Sequence, residues 1–140
     1  MKSKIDYYCR VSGQKLEEII DFGKQPLGNG FISEKNLTNE YFYPMKVGFN
    51  NTSKMLQLMK QPNPKKMFHK EYAFYSSTSK NMKLHFENFA EEIINSNYLQ
   101  KNPFIIEIGC NDGILLKHFF KNGINHLGFE PSENVAEVAK

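Results

Sequence analysis

The chain has 140 residues, a length for one domain or for one small domain plus part of another, and its 18 Lys+Arg against 15 Asp+Glu leave a net charge of +3. That charge is too small and too scattered for binding to nucleic acid or anionic lipid by electrostatics alone, while 40% hydrophobic and 14% aromatic residues exclude a disordered chain. No apolar run approaches the roughly 18 to 20 residues that cross a bilayer, and Met1–Asp6 has no apolar stretch behind its lysines, so a cytoplasmic protein without a membrane partner is expected.

Leu16–Phe22 is short, partly β-branched and ends at Gly23 before the breaker-rich Gln25–Gly30, which predicts one strand and an ordered loop. Tyr43–Phe49 and Lys54–Met59 are strand-length runs joined by Asn50-Asn51-Thr52-Ser53, all turn formers, and predict a hairpin. Gln61-Pro62-Asn63-Pro64-Lys65-Lys66 breaks any regular element and reads as a solvated loop closing a small β unit. From Ser79 the period becomes helical, with Met82, Phe86, Phe89, Ala90, Ile93 and Ile94 on one face, a cap available among residues 76–79, and an end at Asn95-Ser96-Asn97. Phe104–Ile108 is nearly all apolar and predicts a parallel strand covered on both faces.

The residues that carry chemistry follow this strand. Gly109-Cys110-Asn111-Asp112-Gly113 leads into an amphipathic helix, Ile114–Asn122, closed by Gly123, and a second strand, Asn125–Phe129, delivers Glu130 ahead of a helix starting at Glu133. This is a βαβ half-unit. Glycines at 109 and 113 permit a sharp turn and close approach of a ligand, and the following helix is expected to offer unpaired N–H groups to a carboxylate or phosphate. Glu130 lies 21 residues beyond Gly109, close to the roughly 20-residue offset at which an acid in this topology accepts hydrogen bonds from ribose hydroxyls. Loop and acid together point to an adenosine-containing ligand. A dinucleotide site expects G-x-G-x-x-G, whereas this loop reads G-x-x-x-G, and the acidic Glu107 before the first glycine suits the amino group of S-adenosylmethionine and would repel a pyrophosphate.

Four strings, Asp21–Leu27, Tyr72–Ser79, Glu107–Gly113 and Gly128–Ala136, resemble the deoxysugar C-methyltransferases, which carry a small zinc-binding N-terminal segment ahead of a Rossmann-like S-adenosylmethionine domain. The resemblance implies that Glu107, Gly109, Asn111, Asp112 and Gly113 surround the cofactor, that Glu130 holds its ribose, and that the segment containing Tyr72 and Ser77 closes over cofactor and substrate. It implies methyl transfer, often to a carbanion beside the keto group of a nucleotide-linked sugar. At the family's second tyrosine position this chain has Phe74. The family's two Cys-x-x-Cys pairs read here Cys9, Ser12, Asn50 and Ser53, so zinc is not expected and metal-free turns are.

The expected architecture is therefore α/β: a small β unit of degenerate zinc-knuckle type over 1–66, a connecting segment with a long amphipathic helix over 67–102, and the opening βαβ part of a Rossmann-like domain over 103–140. The family continues through further strands and a C-terminal domain, so the chain is expected to be a truncated or split product, its catalytic base lying beyond Lys140. The expected partners are a small-molecule substrate of nucleotide-sugar type and a complementary chain supplying the rest of the sheet. The alternatives are a nucleotide-dependent oxidoreductase or epimerase fragment and a non-catalytic half-module. Cys9 and Cys110 read as reduced thiols, Cys110 as a packed side chain, His118 and His126 as surface residues, and His85 as a helix-surface residue with an option to face substrate.

Overall fold

Asp21 bends the first strand instead of ending it. In the computed structural model, which describes residues 6–140, β1 runs from Glu17 to Pro26, past the expected stop at Gly23. The Asp21 carboxylate accepts a hydrogen bond from Gly23 N at 2.8 Å, and Gly23 turns through a positive φ of 72°. The register against β2 (Phe42–Asn50) shifts there, and pairing then resumes with Lys24 opposite Pro44. A bulge of this kind lets a strand continue through residues that read locally as a terminator. β2 pairs antiparallel with β3 (Met55–Leu58) as the expected hairpin, giving a sheet of order β1-β2-β3. A 3-10 turn over Glu34–Asn39 precedes β2.

The expected irregular stretch at 61–66 instead ends in a one-turn helix, α1 (Pro64–Met67). Pro64 opens it with φ already helical, and the Asn63 side chain accepts from Lys65 N at 3.0 Å, so the breaker is here a helix start. The chain divides into two units after Met67.

In the second unit, Ser79 caps α2 (Lys80–Asn95) by accepting from Met82 N at 3.3 Å. The face of α2 that packs is narrower than the sequence period: Ala90 is fully buried and Phe86, Ile93 and Ile94 join it, whereas Met82 and Phe89 are exposed. Their partners are Cys110, Leu115, Leu116 and Phe119 around the helix α3 (Leu116–Lys121). Strands β4 (Phe104–Ile108) and β5 (Asn125–Phe129) pair in parallel with Phe104 opposite Asn125 and Ile108 opposite Phe129, and α4 (Glu133–Ala139) follows. The architecture is mixed α/β: a small antiparallel sheet, then a parallel βαβ part.

The expectation that β4 is covered on both faces is overturned. Among the described residues only one face is packed; on the other, Phe104, Ile106 and Ile108 stand beside Leu127 and Phe129, with Ile108 87% exposed. Apolar sequence shows that a strand tolerates burial, not that a layer covers it. No helix among the described residues is long and apolar enough to cross a membrane.

Candidate functional site

The carboxyl ends of β4 and β5 place the glycine loop and Glu130 against each other. Gly109 N and Cys110 N both donate to Phe129 O, at 2.7 and 3.1 Å, which hooks the loop onto the end of the neighbouring strand. Asn111 N donates to Glu130 Oε2 at 3.1 Å, and Ser132 N donates to Glu130 Oε1 at 2.8 Å. One carboxylate thus ties the loop to the start of α4. The path requires left-handed backbone at Gly109 (φ 79°), Asn111 (φ 50°) and Gly113 (φ 73°); at Gly113 a Cβ would also stand 3.3 Å from Ala139 Cβ.

The loop is held from the other side by its own side chains. Asn111 Oδ1 accepts from Ser76 N at 2.8 Å, Asn111 Nδ2 donates to Phe74 O at 3.1 Å, and Asp112 Oδ2 accepts from Ser77 N at 3.0 Å. Asn134 Nδ2 donates to Tyr72 O and to the Tyr75 hydroxyl, at 2.8 and 2.7 Å. The segment Tyr72–Ser77 is therefore strapped to the loop by the Asn111 and Asp112 side chains and to α4 by that of Asn134.

Between strap and strand ends lies a cavity of about 580 Å³, with Gly109, Asn111 and Glu130 on its polar side and Phe68, Tyr72, Ile108, Phe129 and Pro131 forming apolar walls. This volume lies within the roughly 300 to 1,000 Å³ of small-molecule sites, which are mostly apolar with a few placed polar groups. Of the residues expected at a cofactor, Tyr72, Gly109, Asn111 and Glu130 are brought together on this cavity. Ser77 meets the loop through its backbone amide. Asp112 and Gly113 instead line a separate space of about 600 Å³ behind the loop. Glu107 lies outside the lining of either; its Oε2 is buried without a hydrogen-bond partner, and burial pushes its carboxyl above the usual carboxylate range.

One expectation about the loop changes. The helix after it begins at Leu116 and not at Ile114, and the amides of 109, 110, 111 and 113 are all bonded within the protein, the last to Cys110 O at 3.0 Å. Those four N–H groups are committed to the loop itself and are not the amides of the following helix that were expected to meet a carboxylate or phosphate. Ile108 and Phe129 were missed as wall residues, although each is the last residue of an expected parallel strand, where ligands of open α/β sheets bind. Phe68 and Pro131 had no such signal.

Cys110 is buried, and burial pushes its thiol up with the Glu107 and Glu130 carboxylates adding to the effect, so it is a packed side chain. His85 is exposed and stacks on Phe89 with ring planes 2° apart, on the helix surface. His118 departs from the surface reading: its Nε2 is buried without a partner, and burial lowers its pKa.

In the first unit, Cys9, Ser12, Asn50 and Ser53 converge from two turns. Cys9 Sγ lies 3.2 Å from Ser53 Oγ, and Gln57 Nε2 donates to the sulfur at 2.9 Å. Burial opposes ionisation of this thiol, but hydrogen bonds from the Ser53 and Ser12 side chains and from the Ser12 and Val11 backbone outweigh it and lower its pKa to about 6. Asn50 Oδ1 accepts from Ser12 Oγ, Ser53 N and Ser53 Oγ at 3.0, 2.9 and 3.0 Å. No group of three or more His, Cys, Asp or Glu side chains suited to a metal occurs among the described residues. One thiol, two hydroxyls and a neutral amide do not fit a structural zinc, which takes deprotonated thiolates, imidazoles or carboxylates.

Residues 9–68 match a family model described as "Putative zinc binding domain". The chain is 26% identical over 133 residues to the C-methyltransferase NovU of Streptomyces niveus, in the N-terminal portion of that protein. The match covers 94% of this chain and 31% of NovU, so the chain spans about a third of the length of the curated relative.

Proposed function

We propose that this chain forms the cofactor-binding front part of an S-adenosylmethionine-dependent methyltransferase acting on a sugar-type or other small metabolite. In this reading residues 1–66, 67–102 and 103–140 are the zinc-knuckle-type unit, a connecting segment and the opening of a Rossmann-like domain. The observation that carries it is the Glu130 carboxylate at the floor of the cavity, joined to the glycine loop through Asn111 N at 3.1 Å. Its two oxygens each keep acceptor capacity after taking one backbone amide, enough for a ribose diol. The G-x-x-x-G spacing, without the middle glycine of G-x-G-x-x-G, and the acidic Glu107 weigh against a pyrophosphate, and so against the oxidoreductase or epimerase alternative.

S-adenosylmethionine, when bound, supplies a methyl group made electrophilic by its sulfonium. The residues of this chain would bind and orient: Glu130 accepts from the ribose, the Tyr72 strap narrows access, and Phe68, Ile108, Phe129 and Pro131 exclude water from the cavity. The bond from Asn134 to Tyr72 O ties the strap to α4, while Glu107, outside the cavity lining, takes no part in holding the cofactor in this reading. The acceptor side and a general base come, in this proposal, from further polypeptide, a continuation or a complementary chain. The exposed apolar face of β4 and β5 supports such a covering layer.

Isothermal titration of the full chain with S-adenosylhomocysteine and, in parallel, with NAD tests the reading. Saturable binding of the first and none of the second is expected. NAD binding without S-adenosylhomocysteine binding, with the Ser76 and Ser77 amides protected from exchange to show an intact site, overturns it.

A further inference from the structure

The first unit is short of apolar core. Among its described residues the buried hydrophobic side chains are Cys9 and Leu16, while Ile19, Ile20, Phe22, Phe42 and Leu56 are exposed. Units of this size ordinarily need a staple such as a disulfide or a metal. Cys9 is a free thiol, and the donor set at the four converging positions does not suit zinc.

A different staple occupies that place. Asn50 is 3% exposed, and its carboxamide is bonded at both ends: Oδ1 takes the three donors from Ser12 and Ser53, and Nδ2 donates to Lys15 O at 3.2 Å. The Ser53 hydroxyl extends the cluster to Cys9, and Gln57, itself accepting from Arg10 N at 3.2 Å, closes it on the sulfur. Apart from the two local bonds from Ser53 to Asn50, these links join residues 35 to 48 apart in sequence, the separation that a metal between two knuckles would bridge. A part-buried network of this kind, centred on one buried carboxamide, favours one arrangement of the chain around it.

We propose that the Asn50 carboxamide replaces the metal as the cross-linking node of the first unit, which therefore folds without zinc while keeping the geometry of a zinc knuckle. The inference stands independently of the ligand of the second unit, and its readout is local to residues 9–57.

Hydrogen exchange of the full chain, with metal analysis, tests it. After incubation with zinc and dialysis the chain should retain no stoichiometric metal, and a strong chelator should leave the protection of the Gly13, Leu16 and Ser53 amides unchanged. Asn50→Ala should lower protection of the Leu16 and Ser53 amides about 10- to 100-fold, because several hydrogen bonds lose their shared partner, while Ser76 and Gly109 in the second unit stay as they were. The triple variant S12C/N50C/S53C should take up one zinc per chain and make the first unit's protection chelator-sensitive. Stoichiometric zinc or chelator sensitivity in the parent chain overturns the proposal. So does unchanged protection in Asn50→Ala, and a triple variant whose amides stay protected yet bind no zinc overturns the retained knuckle geometry.

Discussion

Asn111 holds the strap over the candidate cofactor cavity, and a three-member substitution series separates its side-chain bonds from its backbone role. Asn111→Gly keeps the left-handed φ of 50° available and removes the bonds to Ser76 N and Phe74 O. Two hydrogen bonds at about 0.5 to 1.5 kcal/mol each give roughly 1 to 3 kcal/mol of local stability, or a 5- to 150-fold rise in opening of the strap. Asn111→Ala loses the same bonds and, unlike the glycine variant, keeps a Cβ in left-handed backbone, which costs about 1 to 2 kcal/mol relative to glycine. Asn111→Asp retains an acceptor for Ser76 N at the Oδ1 position, and replaces the donation to Phe74 O with a carboxylate oxygen facing that carbonyl. The assay is exchange of the Ser76 amide, with the Ser77 amide, held by Asp112, reporting whether the strap opens as a unit. The Ser76 amide is expected to exchange faster in Ala than in Gly, and faster in all three variants than in the parent. A Ser76 amide that exchanges in Asn111→Gly as slowly as in the parent refutes the strap.

Glu107→Gln should raise the melting temperature of the second unit at neutral pH, by an amount equivalent to about 1 kcal/mol, because it removes an ionisable group with a buried unpartnered oxygen. The sign follows from the folded-state pKa being raised by burial. The folded state binds the proton more readily than the unfolded chain, so stability increases as pH falls from above the raised value towards the ordinary carboxylate value; melts across that window should be flatter for Glu107→Gln, and a variant profile parallel to the parent's counts against the assignment. Gly128→Ala puts a Cβ 2.6 Å from Cys110 Sγ and 2.8 Å from Leu116 Cδ1, both buried atoms of the core cluster. Overpacking there should cost about 1 to 3 kcal/mol in urea unfolding, and an unshifted midpoint would show that the core yields more easily than its packing implies.

Local sequence determined much of the second unit. The helical period from Ser79, the apolar runs at Phe104–Ile108 and Asn125–Phe129 and the glycines between them specify α2, β4, the loop and β5, because each signal resides within a few neighbouring residues. The offset from Gly109 to Glu130 likewise brings the acid to the loop, since parallel pairing of β4 and β5 puts both strand ends side by side. Spacing could not show that the loop amides are already bonded to Phe129 O, Glu130 and Cys110 O, or that Asn111 spends its side chain on Phe74 and Ser76. A hydrogen-bond donor is committed by whatever tertiary packing brings within about 3 Å of it.

The same division holds in the first unit. Asn50-Asn51-Thr52-Ser53 announces a turn, and the tally of thiols shows what zinc would lack there. Only the folded chain brings Ser12, Lys15 and Ser53 around one amide and recruits Gln57 to the Cys9 sulfur from 48 residues away. Sequence also fixed the apolar character of β4 without saying what lies on it: Ile106 and Ile108 are as hydrophobic as a doubly covered strand requires and stand exposed on one face. Local patterning sets which residues can be buried and which can turn, whereas convergence and coverage are properties of segments distant in the chain, whose meeting is settled by packing.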